Sequence, residues 1–297
     1  MSEQFVAQIH SLRDRASVML EMIKFQHTVF ALPFAVMSAA LATAANGSLA
    51  WRPYFWIVVS MVTARSAAMA FNRLVDRDID RNNPRTARRA LPLGLVTPTQ
   101  VALFTMACAG LFLFAAYQLN HLAFILSPVA LTVVLGYSFT KRFTWLSHWV
   151  LGFALAIAPV GAWIAIAGAF APAPLLLAAA VALWTAGFDI IYSCQDAEFD
   201  RRTGLHSAPQ RFGLGRALQL SSLCHLLMVA CLAALAWAAP MGMIYGTGVV
   251  GTAILLVYEH RLVRPNDLSR VDAAFFTANG LISLGLMVFT VVDLALR

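Results

Sequence analysis

Hydrophobic and polar positions alternate along this chain in long blocks rather than in short periods. Apolar runs of about 20 residues are long enough to cross a hydrocarbon layer as helices. The pattern predicts nine of them, at 27–46, 53–72, 99–119, 121–139, 146–169, 173–192, 217–238, 241–258 and 272–294. The third and fourth are parted only around Gln118 to His121. The expected fold class is all-α: a polytopic membrane protein with nine transmembrane helices around a central cavity, closed by a cytoplasmic cap. Residues 1–297 are read as a single membrane-embedded domain. Residues 1–26 mix Phe5, Ile9 and Leu12 with charges, as an amphipathic helix on the cytoplasmic surface does. No cleavable signal pattern precedes the first run. Segments 81–98 and 201–216 are the expected cap loops. Pro84, Pro92, Gly94 and Pro98 interrupt any continuous helix in the first of them.

Composition supports a bilayer rather than a large soluble core. The chain is 60% hydrophobic and 12% charged, with mean hydropathy +0.74. Cys108, Cys194, Cys224 and Cys231 form no CxxC or Cys/His metal pattern. No glycine-rich phosphate loop or dinucleotide fingerprint appears.

Charge sets the orientation. With nine spans, all of the 21 basic residues except Arg52, Arg65 and Arg297 fall on one side. Cytoplasmic loops gather Lys and Arg, so the N-terminus is expected inside and the C-terminus outside. The net charge of +7 is then a topology signal and calls for no nucleic acid. The second and sixth spans both run inward, so their ends share the cytoplasmic face. The expected location is a bacterial-type inner (plasma) membrane.

The end of the second span carries the chemistry. Asn72, Asp76 and Asp80 are spaced four apart, so on a helix they line one face. Tyr192, Asp196 and Asp200 repeat that spacing at the end of the sixth. Oxygen ligands of this kind suit Mg²⁺, which takes one or two carboxylates and completes its shell with water and substrate phosphates. Asp78 points elsewhere and reads as a solvated neighbour, and Glu198 lies off the ligand face.

Other charges surround this platform. Arg65 lies two turns before Asn72 and faces the same way. An intramembrane charge is costly, so Arg65 either lines the cavity and binds an anion or pairs with an acid of the site. Lys141 and Arg142 close the fourth span and suit a diphosphate, although simple interfacial anchoring explains them equally well. Asp189, one turn before Tyr192, either pairs with a cation or acts on substrate. Arg201 and Arg202 are available to phosphate oxygens. Lys24, Gln26 and His27 open the first span as interface anchors or as contacts to a polar substrate. A paired Mg²⁺ platform at the mouth of a buried cavity matches a diphosphate head on a long apolar tail, as in polyprenyl diphosphates. Cations there would stabilise the departing diphosphate. A transporter would instead place charges mid-span in several helices, and here the acids cluster at one face.

Asn72-x3-Asp76-x3-Asp80 followed by NPRTARRALPLG, and Asp189-x2-Tyr192-x3-Asp196-x3-Asp200, resemble the two signature motifs of the UbiA superfamily of intramembrane prenyltransferases. The resemblance covers essentially the whole chain. KFQHTVFALPFA and ARSAAMAFNRLVDRDID resemble its 4-hydroxybenzoate polyprenyltransferase branch. It implies Mg²⁺-dependent transfer of a polyprenyl group to a ring carbon of an aromatic acid, 4-hydroxybenzoate or, alternatively, a dihydroxynaphthoate, in quinone biosynthesis. It implies Asn72, Asp76, Asp80, Asp196 and Asp200 as metal residues. Arg65, Lys141, Arg142 and Arg201 would bind diphosphate or acceptor, with Asp189 and Tyr192 catalytic. The expected partners are polyprenyl diphosphate, a small aromatic acid and the lipid bilayer, with no obligate protein partner. Many members carry Asp directly after the first Asn; this chain has Arg73.

Overall fold

Helix boundaries follow the apolar blocks closely. The structure is a computed structural model and describes residues 12–23, 30–47, 50–239 and 241–297. The expectations for residues 1–11, for Lys24, Gln26 and His27, and for the start of the first span fall outside the described residues. The helices are α1 (Leu12–Met22), α2 (Leu32–Asn46), α3 (Trp51–Val75), α4 (Arg77–Asn82), α5 (Pro98–Leu119), α6 (His121–Gly136) and α7 (Ser147–Ala167). They continue with α8 (Pro172–Ser193), α9 (Ala197–Thr203), α10 (Ala208–Phe212), α11 (Leu214–Ala238), α12 (Met243–Leu262) and α13 (Val271–Ala295). No strand occurs among the described residues, only an isolated bridge between Arg264 and Asp267.

Local chemistry explains the breaks. Thr97 caps α5 in a reciprocal box with Gln100, and Pro98 fills the first turn. Asn120 ends α5 and caps α6 by accepting from the Ala123 amide. That cap makes two helices of the run parted only around Gln118 to His121. Gly168, at φ 67°, closes α7 in the left-handed conformation that glycine adopts without strain.

Among the described residues, seven helices are long and apolar enough to cross a membrane. They are α3, α5, α6 with the turn after it, α7, α8 with its extension, α11 and α13. The described part of α2 is apolar but has 15 residues. α12 places Glu259, His260 and Arg261 in its last turn. The nine spans of the hydropathy pattern are thus met by seven that satisfy this measure and two further helices that do not.

Helix α3 packs on α5, α7 on both α2 and α8, and α8 on α11. α12 packs on α13, which returns to α2. Close approach is built in at two glycines. A Cβ at Gly152 would lie 2.3 Å from the Ala182 carbonyl of α8, and one at Gly187 would meet the His225 ring. The core joins Phe34, Met37, Leu177, Trp184, Met228 and Ile282. Outward-facing Leu103, Met106, Trp237 and Ile254 are exposed, as lipid-facing side chains are. Within α13, residues Ala274–Ala278 form a π-turn. Its neighbour Asn279 accepts from Trp184 Nε1 at 2.6 Å, and Phe275 lies 4.3 Å from the Tyr192 ring, centre to centre.

A cavity of about 580 Å³ lies between α3, α5, α6, α7 and α8. Alanine, leucine, isoleucine and methionine dominate its walls, and its charged lining residue is Arg65. Tyr137 joins Arg65 in that lining.

Candidate active site

Both acidic helix ends break at the same position of their motif. α3 stops at Val75, Asp76 takes φ −88° and ψ 5°, and α4 restarts at Arg77. α8 stops at Ser193, one tight turn spans Cys194–Asp196, and Asp196 takes φ −100° and ψ 0° before α9. This sparsely allowed region of backbone space is one where active-site residues recur. The continuous helical face expected for each triplet is therefore interrupted at its middle acid. The helical spacing largely survives, because the Asp76 amide still bonds Asn72 O (2.9 Å) and the Asp80 amide bonds Asp76 O (2.7 Å).

The first triplet is buried among fixed cations. Asp76 is 2% exposed. It accepts from Lys141 Nζ at 2.5 Å, Arg142 Nη2 at 2.9 Å and Asn72 Nδ2 at 3.1 Å. Lys141 and Arg142 reach it because a 3₁₀ turn, Tyr137–Arg142, follows α6. Asp80 accepts from Arg89 Nη1 at 2.7 and 2.8 Å and lies 3.9 Å from Arg73 Nη1. Arg73, which stands where many members have Asp, is buried and donates to Asn72 Oδ1 at 3.2 Å.

The second triplet is held differently. Arg85 donates to both oxygens of Asp196 and, at 2.9 Å, to the Tyr192 hydroxyl. Asn83 donates to Asp196 at 2.9 Å. The segment after α4 thereby ties the first motif to the second. Burial lowers the proton affinity of Arg85, but the hydrogen bonds and charge of Asp196 outweigh it, so its pKa is raised and the cation is fixed. Among the described residues Asp200 has no cation within ion-pair distance; it accepts from Ser207 Oγ at 2.7 Å.

The remaining expected residues fall in three places. Arg65 lines the cavity and, among the described residues, forms no ion pair and has no hydrogen-bond partner for its buried Nε; of its two readings, the acid pair is not formed among these residues. Asp189 meets His148 Nδ1 at 2.7 Å, and no Lys or Arg pairs with it among the described residues. Arg201 is not brought to the group: it is 59% exposed and donates to Glu198, itself exposed. Asp78 is exposed beside Arg77, as expected. Asn83, Arg85, Arg89, His148 and Ser207 are site residues that the motif spacing does not reveal. Arg85 and Arg89 were legible only as topology charges, and His148 only as a lone histidine opening a span.

The donor set fits Mg²⁺. Among the described residues, no three His, Cys, Asp or Glu side chains gather as an all-protein metal cage. Mg²⁺ does not need one: it is held through one or two carboxylates with phosphate oxygens and water. Hard carboxylate and amide oxygens from Asn72, Asp76, Asp80, Asp196 and Asp200 meet that requirement, and no soft ligand lies among them.

Residues 31–281 match the model of the UbiA prenyltransferase family, and the chain belongs to that family. It is 30% identical over 271 residues to a 4-hydroxybenzoate octaprenyltransferase from Shewanella sediminis (strain HAW-EB3), covering 91% of this chain and 94% of the relative. The apo structure of a UbiA homolog from Aeropyrum pernix K1 superposes with a TM-score of 0.82 at 33% identity, covering 91% of this chain and 98% of the other. A UbiA homolog from Archaeoglobus fulgidus, solved bound to DMAPP and Mg²⁺, shares the fold with a TM-score of 0.73 at 20% identity, covering 94% and 99%.

Proposed function

We propose that this prenyltransferase moves a polyprenyl group from polyprenyl diphosphate to a ring carbon of 4-hydroxybenzoate, ortho to its hydroxyl, in ubiquinone biosynthesis. The observation that carries the reading is the meeting of two acid-bearing helix breaks, tied by Arg85 and Asn83, beside an apolar cavity. The relatives named for 4-hydroxybenzoate support the acceptor, and the DMAPP and Mg²⁺ of the Archaeoglobus homolog support the donor and metal.

Each group then has a task. The tail occupies the cavity, with the diphosphate at the helix breaks. Asn72, Asp76, Asp80, Asp196 and Asp200 would hold Mg²⁺ with the diphosphate, and the ion would supply positive charge to offset that building on the leaving group. Lys141 and Arg142 exchange Asp76 for phosphate oxygens, and Arg85 and Arg89 do the same from the segment after α4. The C–O bond breaks and its electron pair leaves with the diphosphate. The allylic cation is held in that cavity, whose aromatic lining includes Phe112, Phe153 and Tyr137, where water is excluded. Arg65, a cavity-lining cation that meets no acid among the described residues, takes the acceptor's carboxylate. Ring electrons then close the new C–C bond.

The basic-residue pattern supports nine spans, with α2 and α12 completing the set. It also favours a plasma-membrane protein with its N-terminus and site mouth on the cytoplasmic side and segments 81–98 and 201–216 as a cap.

Purified protein in nanodiscs, given radiolabelled polyprenyl diphosphate, Mg²⁺ and 4-hydroxybenzoate, should form prenylated acid, and EDTA should abolish it. Product with a dihydroxynaphthoate alone would keep the chemistry and reassign the acceptor to menaquinone synthesis. No product with either, from folded protein, would refute the aromatic-acid reading.

A further inference from the structure

His148 lies in the first turn of α7 and is 3% exposed. Both its ring nitrogens are engaged. The Ala208 amide donates to Nε2 at 3.1 Å, so that nitrogen carries no proton. The proton therefore sits on Nδ1, which donates to Asp189 Oδ2 at 2.7 Å. The imidazole is neutral, in one tautomer, set by a backbone group.

Asp189 is thus held by one oxygen and retains the other. Its side chain is 25% exposed, and no hydrogen bond to Oδ1 forms among the described residues. Asp189 lies two turns beyond Ala182, a cavity-lining residue of α8, and so shares its face. Its charge reaches Tyr137, which lines the same cavity beside Arg65. The carboxylate is therefore directed to the end of the cavity where the acceptor's carboxylate would meet Arg65.

The amide that fixes His148 belongs to a short segment that touches three parts of the site. The His206 amide donates to the Lys141 carbonyl at 2.7 Å. Ser207 donates to Asp200, and Ala208 to His148. The three consecutive residues 206–208, leading into α10, touch Lys141, Asp200 and the His148–Asp189 pair together.

Resting on the aromatic-acid reading above, we propose that Asp189 Oδ1 takes the ring proton after C–C bond formation and that His148 is its positioning residue. The ring C–H bond breaks, its electron pair restores the aromatic ring, and the proton passes to the carboxylate. His148 accepts nothing, because Nδ1 is already protonated and Nε2 is held by Ala208. Its part is to fix the rotamer of Asp189 and to leave one oxygen free.

The test is turnover of 4-hydroxybenzoate deuterated at both positions ortho to its hydroxyl, against the protio acid, by wild type, Asp189→Asn, His148→Ala and His148→Asn. Asp189→Asn should lose about 10²-fold in kcat or more. His148→Ala should lose about 10- to 100-fold through misplacement of Asp189. Both should raise the primary deuterium isotope effect above the wild-type value, because proton removal becomes limiting. The KM for polyprenyl diphosphate should stay within about two-fold. His148→Asn keeps an N–H donor toward Asp189 and should recover most of the loss. If His148→Ala does not fold, Asp189→Asn and His148→Asn still carry the comparison. Loss of kcat in Asp189→Asn or His148→Ala with no change in isotope effect would overturn the proposal, as would unchanged kcat. No product from wild type with this acceptor would refute the aromatic-acid reading itself, a separate failure.

Discussion

The two acidic helix ends share a spacing and a backbone break, yet they are compensated in opposite ways. Asp76 and Asp80 are 2% and 4% exposed and meet four basic side chains, Lys141, Arg142, Arg89 and Arg73. Asp196 meets one, Arg85, in a partly exposed pair, and Asp200 meets a hydroxyl. A buried acid with fixed cations is part of the fold, because removing it strands several charges. An acid with one half-exposed partner is more readily released to a ligand. The two ends therefore differ in how firmly the fold holds their acids: those of the first are locked among cations, and those of the second are held by fewer partners.

Substitutions at the two ends should separate these roles. The largest effect is expected for Asp76→Ala, which strands Lys141 and Arg142. It should abolish turnover and cost about 3–5 kcal/mol of stability, read as a fall in thermal midpoint in detergent. Asp196→Ala should impair turnover while lowering stability by only about 1 kcal/mol. Equal destabilisation by the two would erase the distinction. Next comes Arg65→Ala at the cavity end. It should raise the acceptor KM by about 10- to 100-fold, the worth of a charged hydrogen bond, and leave that of polyprenyl diphosphate unchanged. Ser207→Ala removes the hydroxyl that donates to the Asp200 carboxylate and caps α10, and should cost about 1–2 kcal/mol by thermal unfolding. Arg201→Ala breaks only an exposed pair with Glu198 and should shift stability by less than about 0.5 kcal/mol, with unchanged activity.

Much of this was legible in the residues because membrane segments announce themselves by length and hydropathy. The expected second, third and sixth spans lie within three residues of α3, α5 and α8 at each end. Lys141 and Arg142 were found because they follow an apolar run. The backbone breaks at Asp76 and Asp196 were not legible, since four-residue spacing is the same on one helix and on two that nearly align. Arg85 and Arg89 were hidden by the positive-inside pattern, which explains any basic residue in such a loop without asking what it touches. His148 and Ser207 meet their partners across 41 and 7 residues. The first is a tertiary contact that no local pattern encodes, and the second depends on how the chain turns between α9 and α10. Arg201 failed for the reverse reason: adjacency to Asp200 places it on the next helical position, facing Glu198 and solvent.

The central claim is that the two helix ends form one diphosphate site. Affinity for a non-reactive prenyl thiodiphosphate in Mg²⁺, measured for wild type, Asp76→Asn, Asp196→Asn and the double variant, tests it most directly. A shared site predicts strong coupling, with the double variant departing from the sum of the single effects by about 1 kcal/mol or more. Additivity within about 0.5 kcal/mol would mean two independent sites and would contradict the account.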